Sequence, residues 1–117
     1  MNSAILCFVS IAILVSVTTA EEGSVSVTNS GGYVAFLEVE YILNGEKKNI
    51  KSKDYTLGST ETTTIPDGAT NIVVSAQNYW FPGASKIIFS KQYSTPPNEC
   101  FKVWGTALDP KYDSITC

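Results

Sequence analysis

The residues with the most reactive side chains are three cysteines, and the chain of 117 residues contains no histidine. Histidine is the usual general base of hydrolases and the commonest metal ligand, so its absence argues against both roles. Cys7 lies in an apolar N-terminal run, whereas Cys100 and Cys117 lie near the other end. An even pair of cysteines in an exported chain is typical of a disulfide. We therefore predict a disulfide between Cys100 and Cys117, with no redox or metal-binding role.

Carboxylates are the other candidates for catalysis. Glu38 and Glu40 share one face of a predicted strand, and Asp109 and Asp113 are spaced to share a turn. A pair of carboxylates hydrolyses glycosides when it flanks a substrate cleft. Nothing around these pairs indicates an aromatic-walled cleft, and charged residues are mostly exposed. The sequence therefore predicts solvated carboxylates, no catalytic residue, no enzyme activity and no cofactor.

Large aromatic residues are the third group of candidate functional residues, because they can contact lipid or a partner. Tyr79, Trp80 and Phe81 lie beside a proline and a glycine in a predicted loop over 78–85. Aromatic residues on a loop often contact lipid or a partner, and tryptophan favours the membrane interface. The alternative is that Trp80 and Phe81 fold back as a minor core. The net charge of −3 argues against nucleic acid and provides no basic attraction to anionic lipid.

The first twenty residues are typical of a secretory signal peptide. An uncharged apolar run spans 4–17, and Thr18-Thr19-Ala20 supplies the small residues of a cleavage site. The run is shorter than the ~20 apolar residues that a transmembrane helix needs. We expect cleavage after Ala20, which removes Cys7, and secretion of one domain over 21–117 with a disulfide-tethered C-terminal tail.

The segment 21–117 has the composition of an all-β domain. Short runs rich in Val, Ile, Thr and Tyr alternate with turn residues. Asn44-Gly45 predicts a type I′ hairpin turn that leads into a Lys-rich edge strand. Trp104 is expected in the core, at the end of the last strand. A two-sheet antiparallel β-sandwich of immunoglobulin-like size fits this length. Seven strands are predicted, over 24–29, 33–43, 46–55, 60–65, 71–76, 86–92 and 100–104.

Four short segments carry a resemblance to a known family. They are SGGYVAF at 30–36, TTIP at 63–66, ATNI at 69–72 and WGTALDP at 104–110. Their order and spacing resemble the C-terminal domain of the cholesterol-dependent, or thiol-activated, cytolysins, whose segments read approximately SGAYVAxF, TxIP, ARNI and WGTTLYP. The resemblance covers about 24–110. It implies a β-sandwich that binds membrane sterol through loops at one end.

The resemblance also implies which residues form that end. The Trp-rich undecapeptide of the family is replaced here by a shorter loop with Trp80 as its one tryptophan. Ala107 stands where the sterol-recognising Thr-Leu pair of the family has threonine, and Leu108 retains the leucine. The implied membrane- or partner-binding residues are Gly31, Gly32, Ser59, Tyr79, Trp80, Phe81, Ala107 and Leu108.

The sequence thus predicts a secreted module that binds membrane lipid or sterol, as a toxin, venom or defence component. Its mechanism would be shallow insertion of Trp80, Phe81 and Leu108. The cytolysins form pores with other domains, so this chain is not expected to form their kind of pore. The alternative that stays open is a soluble interaction protein that binds a protein or a glycan through the same loops. Nucleic acid and metal are not expected as partners.

Overall fold

The computed structural model describes residues 22–117, which form two four-stranded sheets packed face to face. One sheet has the strand order β4-β1-β7-β8 and the other has the order β3-β2-β5-β6. Paired strands are antiparallel except β1 and β7, which are parallel. The predicted β-sandwich is confirmed, and the predicted signal peptide lies outside the described residues. The strands are β1 (Gly23–Asn29), β2 (Ala35–Leu43), β3 (Glu46–Lys51), β4 (Thr60–Ile65), β5 (Thr70–Phe81), β6 (Ala84–Tyr93), β7 (Asn98–Gly105) and β8 (Pro110–Ile115).

Alternation of apolar and polar residues places the core between the two sheets. In β2, Leu37, Val39 and Tyr41 are buried, whereas Glu38 and Glu40 lie on the opposite, outer face. Successive side chains of a strand point to opposite faces, so this division follows directly from the sequence. The same pattern gives the other strands their inward residues, which include Val25, Val27, Ile72, Val74, Ala76, Phe101 and Val103.

The turn between β2 and β3 has the predicted geometry. Asn44 and Gly45 have φ angles of 53° and 79°, as a type I′ turn requires. β3 lies at the edge of its sheet and is largely exposed, also as predicted. It ends at Lys51, however, and not at Tyr55. Tyr55 instead turns inward, is buried, and pairs with Ala35 through an isolated bridge.

The predicted loop over 78–85 is instead the tip of a β-hairpin. β5 continues to Phe81 and β6 begins at Ala84, so Pro82 and Gly83 alone turn the chain. Gly83 has a φ of 81°, which glycine adopts without steric cost. The aromatic residues before this turn have high β-propensity, which extends the strand. The aromatic side chains are therefore held on a paired strand and not on an irregular loop.

The strand count of seven was wrong because Pro110–Ile115 forms an eighth strand on β7. β8 is charged and almost wholly exposed, so it lacks the apolar alternation that marks a strand. The position predicted for Trp104 was also wrong. Trp104 follows the inward residues Phe101 and Val103, so alternation places it on the outer face. There it is 37% exposed, and its Nε1 donates a hydrogen bond of 2.9 Å to Asp113 Oδ2.

Cys100 and Cys117 form the predicted disulfide, with 5.3 Å between their Cα atoms. β8 lies between the two cysteines and pairs along β7. The C-terminal segment is therefore held by a strand ladder as well as by the covalent bond.

Replacing both cysteines by serine is expected to lower the free energy of unfolding by about 3 kcal/mol. The bond spans 17 residues, and closing a loop of this length removes about that much chain entropy from the unfolded state. The sandwich itself should remain, because its core strands do not depend on the bond. Urea unfolding of the Cys100→Ser/Cys117→Ser variant checks the loss, and circular dichroism checks the fold. Two free thiols in the native protein, measured by mass spectrometry, would refute the pairing.

Candidate functional site

Four connecting segments, 30–34, 52–59, 82–83 and 106–109, meet at one end of the sandwich, called the loop end below. β1 and β7 run towards this end in parallel, and β4 and β8 start from it. In the other sheet β2 starts there, and the β5–β6 hairpin turns there. All eight binding residues implied by the resemblance therefore lie at the same end.

A buried asparagine organises two of these segments. The Nδ2 of Asn29 donates to the carbonyl oxygens of Tyr33, at 2.8 Å, and Tyr55, at 3.1 Å. Its Oδ1 accepts a hydrogen bond of 2.8 Å from the amide of Gly31. Buried polar groups are almost always paired in this way. One side chain thus ties segments 30–34 and 52–59 to the end of β1.

The Asn29→Ala variant is expected to lose about 2–3 kcal/mol of unfolding free energy, because it leaves buried backbone groups unpaired. Ser26→Ala is the matched control. Ser26 lies on the outer face of the same strand and bonds Thr62 at the surface, so its loss should cost under about 1 kcal/mol. Chemical denaturation of both variants gives the comparison. Equal losses would show that Asn29 does not organise the loop end.

Two tyrosines fill the space between these segments and the sheets. Tyr33 donates a hydrogen bond of 2.8 Å to the carbonyl oxygen of Trp104, and burial raises its pKa to about 12. Burial raises the pKa of Tyr55 as well, and the nearby Tyr33 and Glu61 add to the effect. A Cβ on Gly31 would lie 2.4 Å from the ring of Tyr33, so glycine is required there. Both tyrosines are neutral at pH 7 and support the loop end structurally.

The 106–109 segment is a tight turn that presents Leu108. Thr106 and Asp109 exchange backbone hydrogen bonds of 3.3 and 3.1 Å across it. Gly105 precedes the turn with a φ of 91°, and a Cβ there would lie 2.6 Å from the carbonyl oxygen of Asp109. Ala107 is half-buried and packs against the core, whereas Leu108 is 68% exposed. Of the Ala107-Leu108 pair, the leucine alone is displayed to solvent.

The hairpin tip presents two aromatic side chains. Trp80 and Phe81 are 43% and 50% exposed, and their rings meet edge to face with centroids 4.1 Å apart. Tyr79 is half-buried, packs on Phe36 at 5.2 Å and donates its hydroxyl to Asp54 Oδ1 at 3.3 Å. Tyr79 therefore braces the hairpin, while Trp80 and Phe81 are available for contact.

The remaining residues implied by the resemblance contribute mainly backbone. Gly31 is buried, Gly32 is exposed, and Ser59 is half-buried with its carbonyl accepting from the amide of Asn29 at 2.9 Å. The sequence analysis missed Leu57, which is 65% exposed in the 52–59 segment. The sequence signal for Leu57 was its place directly before the turn glycine Gly58, because side chains in a turn are usually exposed.

Exposed apolar side chains are concentrated at this end. Isolated apolar residues on a surface are ordinary, whereas a group of them marks a contact surface. Four of the eight such residues found in the range 22–117 lie on the loop-end segments and the hairpin tip, and we call them the apolar tip. The apolar tip consists of Leu57, Trp80, Phe81 and Leu108. The other four are Ile87, Trp104, Tyr112 and Ile115, which lie along strands.

Neither a metal centre nor a spanning helix is found in the described part of the chain. Across residues 22–117, no three His, Cys, Asp or Glu side chains are grouped to hold a metal ion. Over the same stretch, no helix has the length and apolar character needed to cross a membrane.

The described residues form a two-sheet β-sandwich domain that displays four exposed apolar side chains at one end. The sequence model of the thiol-activated cytolysin beta sandwich domain matches residues 24–111. The chain therefore belongs to this family.

Solved structures of cytolysins share the fold. Listeriolysin O is 23% identical with a TM-score of 0.61, over 84% of this chain and 23% of that chain. Suilysin from Streptococcus suis is 21% identical with a TM-score of 0.61, over 84% of this chain and 24% of that chain. The membrane-binding domain of pneumolysin is 17% identical with a TM-score of 0.58, over 82% of this chain and 97% of that chain. The chain spans about a quarter of the length of listeriolysin O and suilysin. A search of curated proteins found no significant match.

Proposed function

We propose that this domain is a secreted membrane-binding module, acting as a toxin, venom or defence component, that attaches to lipid by shallow insertion of the apolar tip. The observation that carries the proposal is the concentration of four exposed apolar side chains at one end. The related domain of pneumolysin is described as membrane-binding. The disulfide is consistent with an extracellular protein.

Insertion of the apolar tip would supply the binding free energy. Burying a fully exposed apolar side chain is worth about 1.5–3 kcal/mol. These side chains are already partly buried, so we assign about 1.5 kcal/mol to each and about 6 kcal/mol to the four together. The net charge of −3 adds no attraction to anionic lipid. Binding should therefore depend on apolar contact and change little with salt.

Sterol is the lipid that the family resemblance suggests, and it enters the proposal as a second variable. Ala107 lacks the hydroxyl of threonine and packs inward, so the exposed part of the pair is Leu108. Insertion by the apolar tip needs no hydroxyl at this position. We therefore propose that the domain binds lipid in the absence of cholesterol. The effect of cholesterol is measured with a second set of vesicles.

Co-sedimentation of the purified secreted protein with phosphatidylcholine vesicles, with and without cholesterol, tests the proposal. We expect the protein to sediment with vesicles at both low and high salt. Leu108→Ala should weaken the binding, whereas Ile115→Ala should not, because Ile115 is exposed at the end of β8, opposite the loop end. Release of entrapped dye is not expected from residues 22–117, which form the sandwich and its loops. Failure to bind vesicles of any composition would favour a soluble protein or glycan partner.

A further inference from the structure

The turn that presents Leu108 is held by the opposite sheet through two successive backbone carbonyls. The Nδ2 of Asn78 donates to the carbonyl oxygen of Ala107 at 3.1 Å. The Nζ of Lys86 donates to the carbonyl oxygen of Leu108 at 2.9 Å. Asn78 and Lys86 are themselves cross-strand partners on β5 and β6. One register position of the hairpin therefore binds both peptide groups at the apex of the turn.

The turn does not need these two bonds to acquire its shape. The backbone bonds between Thr106 and Asp109 close it, and Lys111 Nζ lies 3.0 Å from Asp109 Oδ2 at its base. The bonds from Asn78 and Lys86 fix the position of the turn relative to the hairpin, and they also oppose the local opening that exposes the amides of Thr106 and Asp109 to exchange.

The hairpin that supplies these donors also carries the aromatic part of the apolar tip. Trp80 follows Asn78 by two positions on β5, beside the register shift between Tyr79 and Phe81, so the indole lies within the same few residues of the hairpin as the amide that binds Ala107. Asn78 is buried, which protects its hydrogen bond from water, whereas Lys86 is exposed at the rim. The arrangement places Leu108 and Trp80 on two elements that are joined side by side.

We propose that Asn78 and Lys86 form a latch that joins Leu108 to Trp80 and Phe81 as one preorganised contact unit. The proposal rests on the proposed function, since the unit is the part of the domain that enters lipid. Fixing the two parts before binding avoids the cost of ordering each of them at the membrane. Asn78 and Lys86 are positioning residues and act through Leu108, without contact to lipid.

Amide hydrogen exchange in solution tests the latch without any lipid. The Lys86→Met variant keeps the aliphatic part of the side chain and loses the hydrogen-bond donor. The amides of Thr106 and Asp109 should therefore exchange about tenfold faster than in the wild-type protein. Exchange should remain at the wild-type rate in Lys86→Arg, which keeps a donor. It should also remain so in Lys47→Met, which removes the same charge from the exposed β3 strand near the opposite end. Unchanged exchange in both Lys86→Met and Asn78→Ala would overturn the latch.

Vesicle binding by a double-mutant cycle tests how the latch acts. Lys86→Met should weaken binding about fivefold in the wild-type background and under about twofold when Leu108 is already alanine. If the lysine instead contacts lipid headgroups, the two losses will multiply and the lysine effect will fall with salt, which contradicts a positioning role. Absence of binding by the wild-type protein would reject the proposed function, and the exchange measurement would still decide whether the latch exists.

Discussion

Replacing Trp80 and Leu108 together by alanine is expected to weaken vesicle binding about a hundredfold while leaving the unfolding transition nearly unchanged. Both side chains are substantially exposed, so each contributes little to the folded domain. In the membrane-bound state each would lose about 1.5 kcal/mol of apolar burial, and about 3 kcal/mol in total corresponds to about a hundredfold in affinity. Titration with phosphatidylcholine vesicles gives the affinity, and thermal unfolding gives the stability.

A matched variant controls for the loss of apolar surface. Ile115→Ala also removes an exposed apolar side chain, from the end of β8 opposite the loop end. It should bind vesicles like the wild-type protein. A loss of binding in Ile115→Ala as large as in the Trp80/Leu108 variant would mean that binding is not made by the apolar tip. Unfolding of the Trp80/Leu108 variant would mean that these residues belong to the core.

Phe101→Ala is expected to have the largest effect on stability, a loss of about 3–5 kcal/mol. Phe101 is 1% exposed and its ring lies 4.6 Å from the ring of Phe89, so truncation leaves a cavity between the sheets. Trp104→Ala should cost only about 1 kcal/mol, because it removes a half-exposed ring and one surface hydrogen bond to Asp113. Urea unfolding of the two variants provides the ranking. The opposite ranking would return Trp104 to the core position that the sequence analysis predicted.

The parts of the fold that were predicted correctly depend on local patterns. The two faces of β2 follow from strict alternation, and the β2–β3 turn follows from the Asn-Gly dipeptide, which tolerates positive φ. β4 has the predicted bounds because a proline follows it directly. In each case residues adjacent in sequence determine the outcome.

The parts that were missed depend on the partner sheet. Trp104 was placed inside because it is large and aromatic, although the alternation from Phe101 and Val103 places it outside. β8 begins at a proline and is largely exposed at a sheet edge, so no apolar pattern marks it. The sequence predicts a loop at the hairpin tip because proline and glycine usually interrupt strands. In the structure the two strands stay paired up to Pro82 and Gly83.

The candidate site was located by the family resemblance and refined by the structure. The resemblance implied eight residues at one end, and the strand directions place them all there. It did not indicate which side chains face solvent, since Tyr79 and Ala107 are half-buried whereas Leu57 is exposed. The latch was not predictable either. Asn78 and Lys86 donate to backbone carbonyls that lie 29 and 22 residues further along the chain, and a backbone carbonyl leaves no signal in the sequence.

The emission of Trp80 in the presence of vesicles tests the central claim most directly. The chain contains two tryptophans, so Trp104→Phe leaves Trp80 as the single reporter at the hairpin tip. If the apolar tip enters lipid, Trp80 leaves water and its emission shifts to the blue as phosphatidylcholine vesicles are added. Emission that stays unchanged with vesicles of every composition, with or without cholesterol, would contradict membrane binding through this end of the sandwich.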